Sequence, residues 1–198
     1  MDNERLKKQI EFIVEIDKIK KICRQTLLMD GSRNENDAEH SWHLALMAMV
    51  LSEYFPHNLD LFKVIKMLLV HDLVEIDAGD TFCYDEKANE DKAEREQKAA
   101  SRIFGLLPPD QEKEFRALWE EFEEQKTSEA QFAASLDRMQ PLLHNYHTKG
   151  HTWVKYDVKY DKVIKRIQPL EKSSPVLWEY VLEILEDAIK KGYLKRND

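Results

Sequence analysis

His71, Asp72 and Glu75 stand close together at the end of the most apolar stretch of this chain. Eleven of the 16 residues from Leu61 to Ile76 are apolar, too many for a helix that keeps one face in water. A charge in such surroundings costs several kcal/mol unless it is paired or bound to a metal. At about 100° per residue, His71 and Asp72 neighbour each other and Glu75 projects between them one turn later. Three ionisable groups turned to one side of a buried helix leave two readings. Either the helix end emerges into solvent, or the groups hold an ion.

Other residues of the same types favour the ion. His40 lies in the first turn of a second helix, with His43 one turn beyond it, and by spacing the two compete equally as ligands. Asp137 lies beside the inner stripe of a third helix, with Pro141 four residues later. A proline there removes the hydrogen bond to the carbonyl of Asp137 and distorts the helix at that carboxylate. Two imidazoles and two carboxylates suit one divalent ion of the manganese, iron, cobalt or zinc kind better than magnesium or calcium. The chain has only two cysteines, Cys23 and Cys83, read as plain thiols, so a zinc finger is excluded. A bound cation lowers the pKa of its water, and a carboxylate such as Glu75 can take the proton.

The elements that must position these groups are helical by period. Apolar residues at 6, 10, 13, 16, 19 and 23 trace a stripe through a first helix, and the polar stretch from Leu28 to Asp37 reads as a loop. Asn36 with Glu39 has capping-box spacing and opens a helix that runs to about Tyr54, closed by Pro56. Asp60 caps the apolar helix through Ile76, and Gly79 ends it. Residues 79–88 form a loop. Residues 89–126 form two acidic amphipathic helices divided at Pro108-Pro109, read as a solvated face. Ser128 starts a helix with Phe132, Ala133, Leu136, Met139 and Leu143 inward, broken at Gly150. Residues 153–168 are helical, and Ser174-Pro175 opens a last helix (about 174–191) that Gly192 ends.

Composition agrees. With 198 residues, 42% hydrophobic and 34% charged, and only 5 Gly and 6 Pro, the chain lacks the turn residues of a large β-protein. The expectation is an all-α, single-domain helical bundle spanning 1–198. The net charge of −8 excludes the basic footprint that a nucleic-acid polymer needs. The longest apolar run, Leu44 to Leu51, is far short of a bilayer span. No export signal opens the sequence, so a cytoplasmic protein is expected.

His40, the adjacent His71-Asp72 and the distant Asp137 resemble the H…HD…D signature of the HD superfamily of metal-dependent phosphohydrolases. The surrounding strings carry the resemblance: Glu-Asn-Asp-Ala-Glu-His-Ser at 35–41, His-Asp-Leu-Val-Glu-Ile-Asp-Ala-Gly-Asp at 71–80 and Leu-Asp-Arg-Met-Gln-Pro at 136–141. In order and spacing they are similar to the subgroup of bacterial 5′-deoxynucleotidases, over roughly residues 5–170.

The resemblance implies an HD-type helical bundle binding one divalent ion through His40, His71, Asp72 and Asp137. It matches Glu75 to the carboxylate that activates the attacking water and Asp80 to the acidic residue that contacts substrate. The implied reaction is hydrolysis of a nucleoside 5′-monophosphate, with phosphate released. Arg24, Arg33, His43 and Thr81 are the further candidates for substrate contact; Arg33 is otherwise a surface-loop arginine. The pattern departs at one place. The deoxynucleotidases carry an Arg-Trp pair before the first His, the Trp implicated in rejecting ribose, whereas this chain reads Arg24-Gln25-Thr26-Leu27. A different small phosphate ester, or a metal- or nucleotide-binding module without turnover, are the alternatives. His144, His147 and His151 read as solvent-facing. Trp178 and Tyr180 pack on the bundle or in a homodimer contact, and a homodimer is expected.

Overall fold

The computed structural model describes residues 3–55 and 58–197. Helix α1 (Asn3–Ile16) is followed by a 3₁₀ turn, Asp17–Lys21, and by strand β1 (Cys23–Leu27). Strand β2 (Asn34–Asn36) pairs antiparallel with β1. The expected Leu28–Asp37 loop contains the turn and second strand of this hairpin, and the expected first helix gives way to the 3₁₀ turn before β1. Gly31, in the left-handed region at φ 74°, donates its N–H to Leu28 O at 2.8 Å and turns the chain, and Asn34 Nδ2 donates to Arg24 O at 2.6 Å.

Helix α2 (Asp37–Leu51) starts at the expected capping box: the Asn36 side chain accepts from the Glu39 N–H, and the Glu39 carboxylate accepts from the Asn36 N–H. Residues Ser52–Tyr54 continue as a 3₁₀ turn; Pro56, expected to close this helix, lies outside the described residues. Asp60 caps α3 (Leu61–Val70), its Oδ1 accepting from the Lys63 N–H at 3.0 Å. The single helix expected through Ile76 is in fact three pieces. After α3 the backbone tightens into a 3₁₀ turn over His71–Val74, and α4 (Glu75–Ala78) follows. A 3₁₀ turn advances about 120° per residue rather than 100°, so the side chains there are re-aimed relative to a regular helix.

Helices α5 (Lys92–Phe104) and α6 (Pro109–Glu124) are the expected pair, but the acidity lies on α6 and in the flanking residues, since α5 carries Lys92, Arg95, Lys98 and Arg102 against Glu94 and Glu96. The long α7 (Ser128–His147) carries Pro141 in its interior. The helical stretch expected over 153–168 is broken into α8 (His151–Lys155) and α9 (Tyr160–Ile167), with α10 (Pro169–Ser173) after it. Helix α11 (Pro175–Lys190) opens as expected, with Ser174 capping and Pro175 at the first helical position. The fold is all-α apart from the hairpin. No helix among the described residues is long and apolar enough to cross a membrane.

Two apolar clusters meet at the polar helix. One joins α2, α3, α7 and α9–α11 through residues such as Leu44, Met67, Phe132 and Leu185. The other gathers Phe12, Leu73, Val74, Ile103 and Trp119 from α1, the 3₁₀ turn, α5 and α6. The α1 stripe does not behave as its period suggests. Phe12 is buried, packed edge-on to Phe115 at 5.4 Å, while Leu6, Ile10 and Ile13 are at least half exposed. Only one edge of α1 has a neighbour to cover it.

Candidate metal centre

The polar turn does not emerge into solvent. His71, Asp72 and Glu75 are 4, 8 and 5% exposed, which removes the solvent-exit reading. They sit where the two apolar clusters meet, and groups from three other elements converge on them.

His40 comes from the first turn of α2 and Asp137 from the middle of α7. His40 Nε2 lies 3.0 Å from Asp137 Oδ1 and 3.9 Å from Asp72 Oδ2. His71 Nε2 lies 3.2 Å from Asp72 Oδ1 and 3.8 Å from Asp137 Oδ1. The ring of His71 is held by its other nitrogen, since Nδ1 donates to Leu68 O at 2.9 Å. A carbonyl can only accept, so Nδ1 carries the proton and Nε2 keeps its lone pair. That Nε2 is buried and has no hydrogen-bond partner. A ring fixed from behind, with an unpartnered lone pair among carboxylates, fits a divalent cation.

Burial opposes charge on both His40 and Asp137, but they offset it for each other. Burial and Arg24 work against a charged His40 ring, yet Asp137, Glu35 and Asp72 outweigh them and carry its pKa up to about 9. Against its own burial, Asp137 is held well below the usual carboxylate range by His40 and His71. Glu75 goes the other way: burial, then the charges of Asp72 and Asp37, push it well up. Its Oε2 has no partner.

Arg24, from β1, reaches into the same cluster. Its Nη1 lies 2.9 Å from Asp72 Oδ2, 3.3 Å from Asp37 Oδ1 and 3.9 Å from Asp80 Oδ1. Asp80 is raised by burial, with Arg24 opposing. Beside these groups opens a cavity of about 210 Å³ lined by Arg24, Gln25, His71, Asp72, Glu75, Asp80, Thr81 and Asp137, with Phe82, Tyr84, Arg138 and Arg166 among its other walls. The Thr81 hydroxyl accepts from Arg95 Nη2 at 3.1 Å.

Two candidates for substrate contact are not brought to this cavity. Arg33 instead forms a two-pronged pair with Glu39 on the surface, Nη1 to Oε2 at 2.8 Å; the capping box turns the Glu39 carboxylate back within its reach. His43 is turned towards a separate buried group, its Nδ1 3.4 Å from Gln140 Nε2 and its ring 5.7 Å from that of His144. His144 is also not solvent-facing: it is 2% exposed and its Nδ1 donates to Leu27 O at 2.8 Å.

Sequence reasoning missed Asp37, Glu35 and Gln140, all 0–1% exposed. For Asp37 a signal existed. Asp37, His40, Ser41, Leu44, Met47 and Ala48 are the buried residues of α2 and share one helical phase. That phase includes His40 and leaves out His43. For Glu35 and Gln140 no local pattern marks the role.

Comparison with known proteins adds to this geometry. A family model described as HD domain matches residues 16–178. The 5′-deoxynucleotidase HDDC2 of Homo sapiens is 33% identical over 135 residues, covering 68% of this chain and 65% of that protein. The 5′-deoxynucleotidase HDDC2 of Dictyostelium discoideum is 32% identical over 143 residues, covering 69% and 75%. The chain thus spans a little less than two thirds of the human relative's length. Among solved structures, a "Predicted metal-dependent phosphohydrolase" from Magnetospirillum magnetotacticum MS-1 superposes with a TM-score of 0.93 at 54% identity, covering 97% of this chain and 96% of that one.

Proposed function

The chain belongs to the HD-domain family, and from that premise we propose that it is a divalent-metal-dependent phosphohydrolase releasing phosphate from nucleoside 5′-monophosphates. One observation carries the reading. Nitrogen and carboxylate donors of His40, His71, Asp72 and Asp137 converge at 3.0–3.9 Å, next to a buried carboxylate, Glu75, with an oxygen still unpartnered.

In this reading those four residues hold one divalent ion of the manganese, iron, cobalt or zinc kind. Such an ion supplies neutralisation of phosphoryl charge and an acidified water. Glu75 accepts the proton of the attacking water; its burial makes it a stronger base than an exposed carboxylate. Water oxygen adds to phosphorus, the phosphorus–O5′ bond breaks, and the nucleoside oxygen leaves as the alcohol with a proton drawn from solvent, to which Glu75 in turn returns the one it took. Arg24 faces the phosphate, while Asp80 and Thr81 contact the rest of the substrate from the 79–88 loop.

A second reading keeps the chemistry and changes the ester. It is supported by Gln25, which lines the cavity next to Arg24 where the deoxynucleotidase pattern has Trp. Phosphate release measured across ribo- and deoxyribonucleoside monophosphates, with manganese, cobalt and zinc, tests both readings. Turnover of nucleotides supports the first, and turnover only of other small phosphate esters supports the second. No turnover of either sinks both in favour of a binding module.

The protein is taken to be cytoplasmic and a homodimer. The outward apolar stripe of α1, with Val14 67% exposed beside it, supports association with a second copy. Light scattering that returns a monomer mass would contradict this.

A further inference from the structure

Glu35 takes no part in the reaction above and does not line the cavity, yet its carboxylate is buried. It is 1% exposed. Its Oε1 accepts from Gln140 Nε2 at 2.6 Å. Its Oε2 has no hydrogen-bond partner and stands 3.7 Å from His40 Nδ1, which is equally buried and equally without one. A carboxylate oxygen and an imidazole nitrogen therefore face each other in a buried place, while the opposite nitrogen of the same ring faces Asp137 and Asp72.

We propose that Glu35 is the positioning residue for His40: its carboxylate accepts the hydrogen bond that the Nδ1–H donates, fixing the ring and leaving the Nε2 lone pair to bind the metal. Metal-bound histidines commonly donate their second N–H to a carboxylate or carbonyl, which sets the tautomer and raises the basicity of the ligand. His71 has the carbonyl form of this brace, through Leu68. Glu35 gives His40 the stronger, charged form.

The brace is itself braced. Gln140 Nε2, besides donating to Glu35, lies 2.9 Å from His144 Nε2. His144 has its proton on Nδ1, donated to Leu27 O, so its Nε2 accepts from the amide. Gln140 is 0% and His144 2% exposed. Gln140 follows Asp137 by three residues, so one stretch of α7 supplies a ligand to the site and a support to the opposite ligand. Glu35, His43 and His144 also have the residue types and closeness of a separate cation site. The two Gln140 amide protons already account for Glu35 and His144 in that group.

The inference rests on His40 being a ligand, and its test separates the two. Zinc affinity of the metal-free chain is measured by competition with a chromophoric chelator, for wild type and Glu35→Gln, together with urea unfolding of the metal-free proteins. The variant leaves one acceptor for two donors, so an amide N–H₂ stands against either Gln140 or His40, and it removes the charge behind His40. Expected is a loss of zinc affinity of roughly 10–100-fold and a shifted His40 Nδ1–H resonance in the zinc-loaded protein, with the His71 Nδ1–H unmoved. Zinc affinity within twofold of wild type, with or without a lower unfolding midpoint, would mean that Glu35 only supports the fold and would overturn the proposal. So would two zinc ions in wild type and one in the variant, since an ion would then sit among Glu35, His43 and His144. A wild type that binds no zinc, cobalt or manganese would overturn the ligand assignment and the brace with it. Should Glu35→Gln not fold, the zinc-loaded wild type decides: a His40 Nδ1–H protected from solvent exchange is expected, and a His40 Nδ1–H that exchanges freely or is absent overturns the proposal.

Discussion

Arg24 and Asp72 form a buried ion pair, Nη1 to Oδ2 at 2.9 Å, across 48 positions of sequence. The pair joins the hairpin to the polar turn and draws the guanidinium towards Asp37, Asp80 and Asp137 as well. Burial opposes the charge on Arg24, but Asp72, Asp80 and Glu75 outweigh it and raise its pKa. Asp72 and Asp137 are thus shared between Arg24 and the proposed metal.

Arg24→Met should therefore destabilise the chelator-treated protein by about 3–5 kcal/mol, the range for stranding one side of a buried ion pair. With saturating manganese the loss should be smaller, because the metal replaces part of the missing positive charge. Urea unfolding under the two conditions checks this, and equal losses in both would refute the sharing.

Glu75→Gln should keep the metal and lose phosphate release by roughly 10²–10⁴-fold, the usual contribution of a general base. Metal content and turnover are read on the same preparation. Undiminished turnover would remove Glu75 from its assigned role.

His71→Ala and Asp72→Ala should lose the metal. In the wild type a chelator should lower the melting temperature, since metal bound to the folded state stabilises it by mass action. In either variant the chelator should have no effect. A chelator response retained in both would place the ion elsewhere.

Gln25→Trp restores the residue that the deoxynucleotidase pattern has after its arginine, at a position lining the cavity. The ratio of kcat/KM for deoxyribo- over ribonucleotides should rise above that of the wild type. An unchanged ratio would show that sugar choice is made elsewhere in the cavity.

Gly150→Ala should destabilise the fold without touching the site. Gly150 has φ 75°, and a Cβ there would stand 2.0 Å from Tyr193 O. The backbone conformation alone costs about 1–2 kcal/mol for a residue other than glycine, and the clash adds to it. Thermal unfolding reads the loss, with metal affinity of the folded protein unchanged.

Much of this was legible along the chain because it is local. The capping box at Asn36 and Glu39, the cap at Asp60 and the Ser174-Pro175 start are short-range hydrogen-bond and φ preferences, and each element begins where those residues stand. The apolar density around His71, Asp72 and Glu75 marked them as buried groups needing a counter-charge. The helix boundary after Val70 was not legible, because 3₁₀ and α turns share nearly the same apolar period over a few residues; the one after Lys155 turns on Asp157 at φ 48°, where no glycine marks the left-handed backbone. The α1 stripe misled for a related reason: period shows which face is apolar, not whether a neighbour covers it.

By itself, then, the sequence determined an acidic, helical chain with a charged cluster inside it, and the residue types of a divalent-metal site. Tertiary structure alone decided which groups meet. His40 and Asp137 come together across 97 positions, and packing of α2 against α7 turns His40, not His43, into the cluster. The same packing buries His144, Gln140 and Glu35 behind the ligand. Spacing along a helix gives the direction of a side chain relative to its own axis. What it points at depends on where the other helices lie, and that is settled only when the apolar faces have closed on one another.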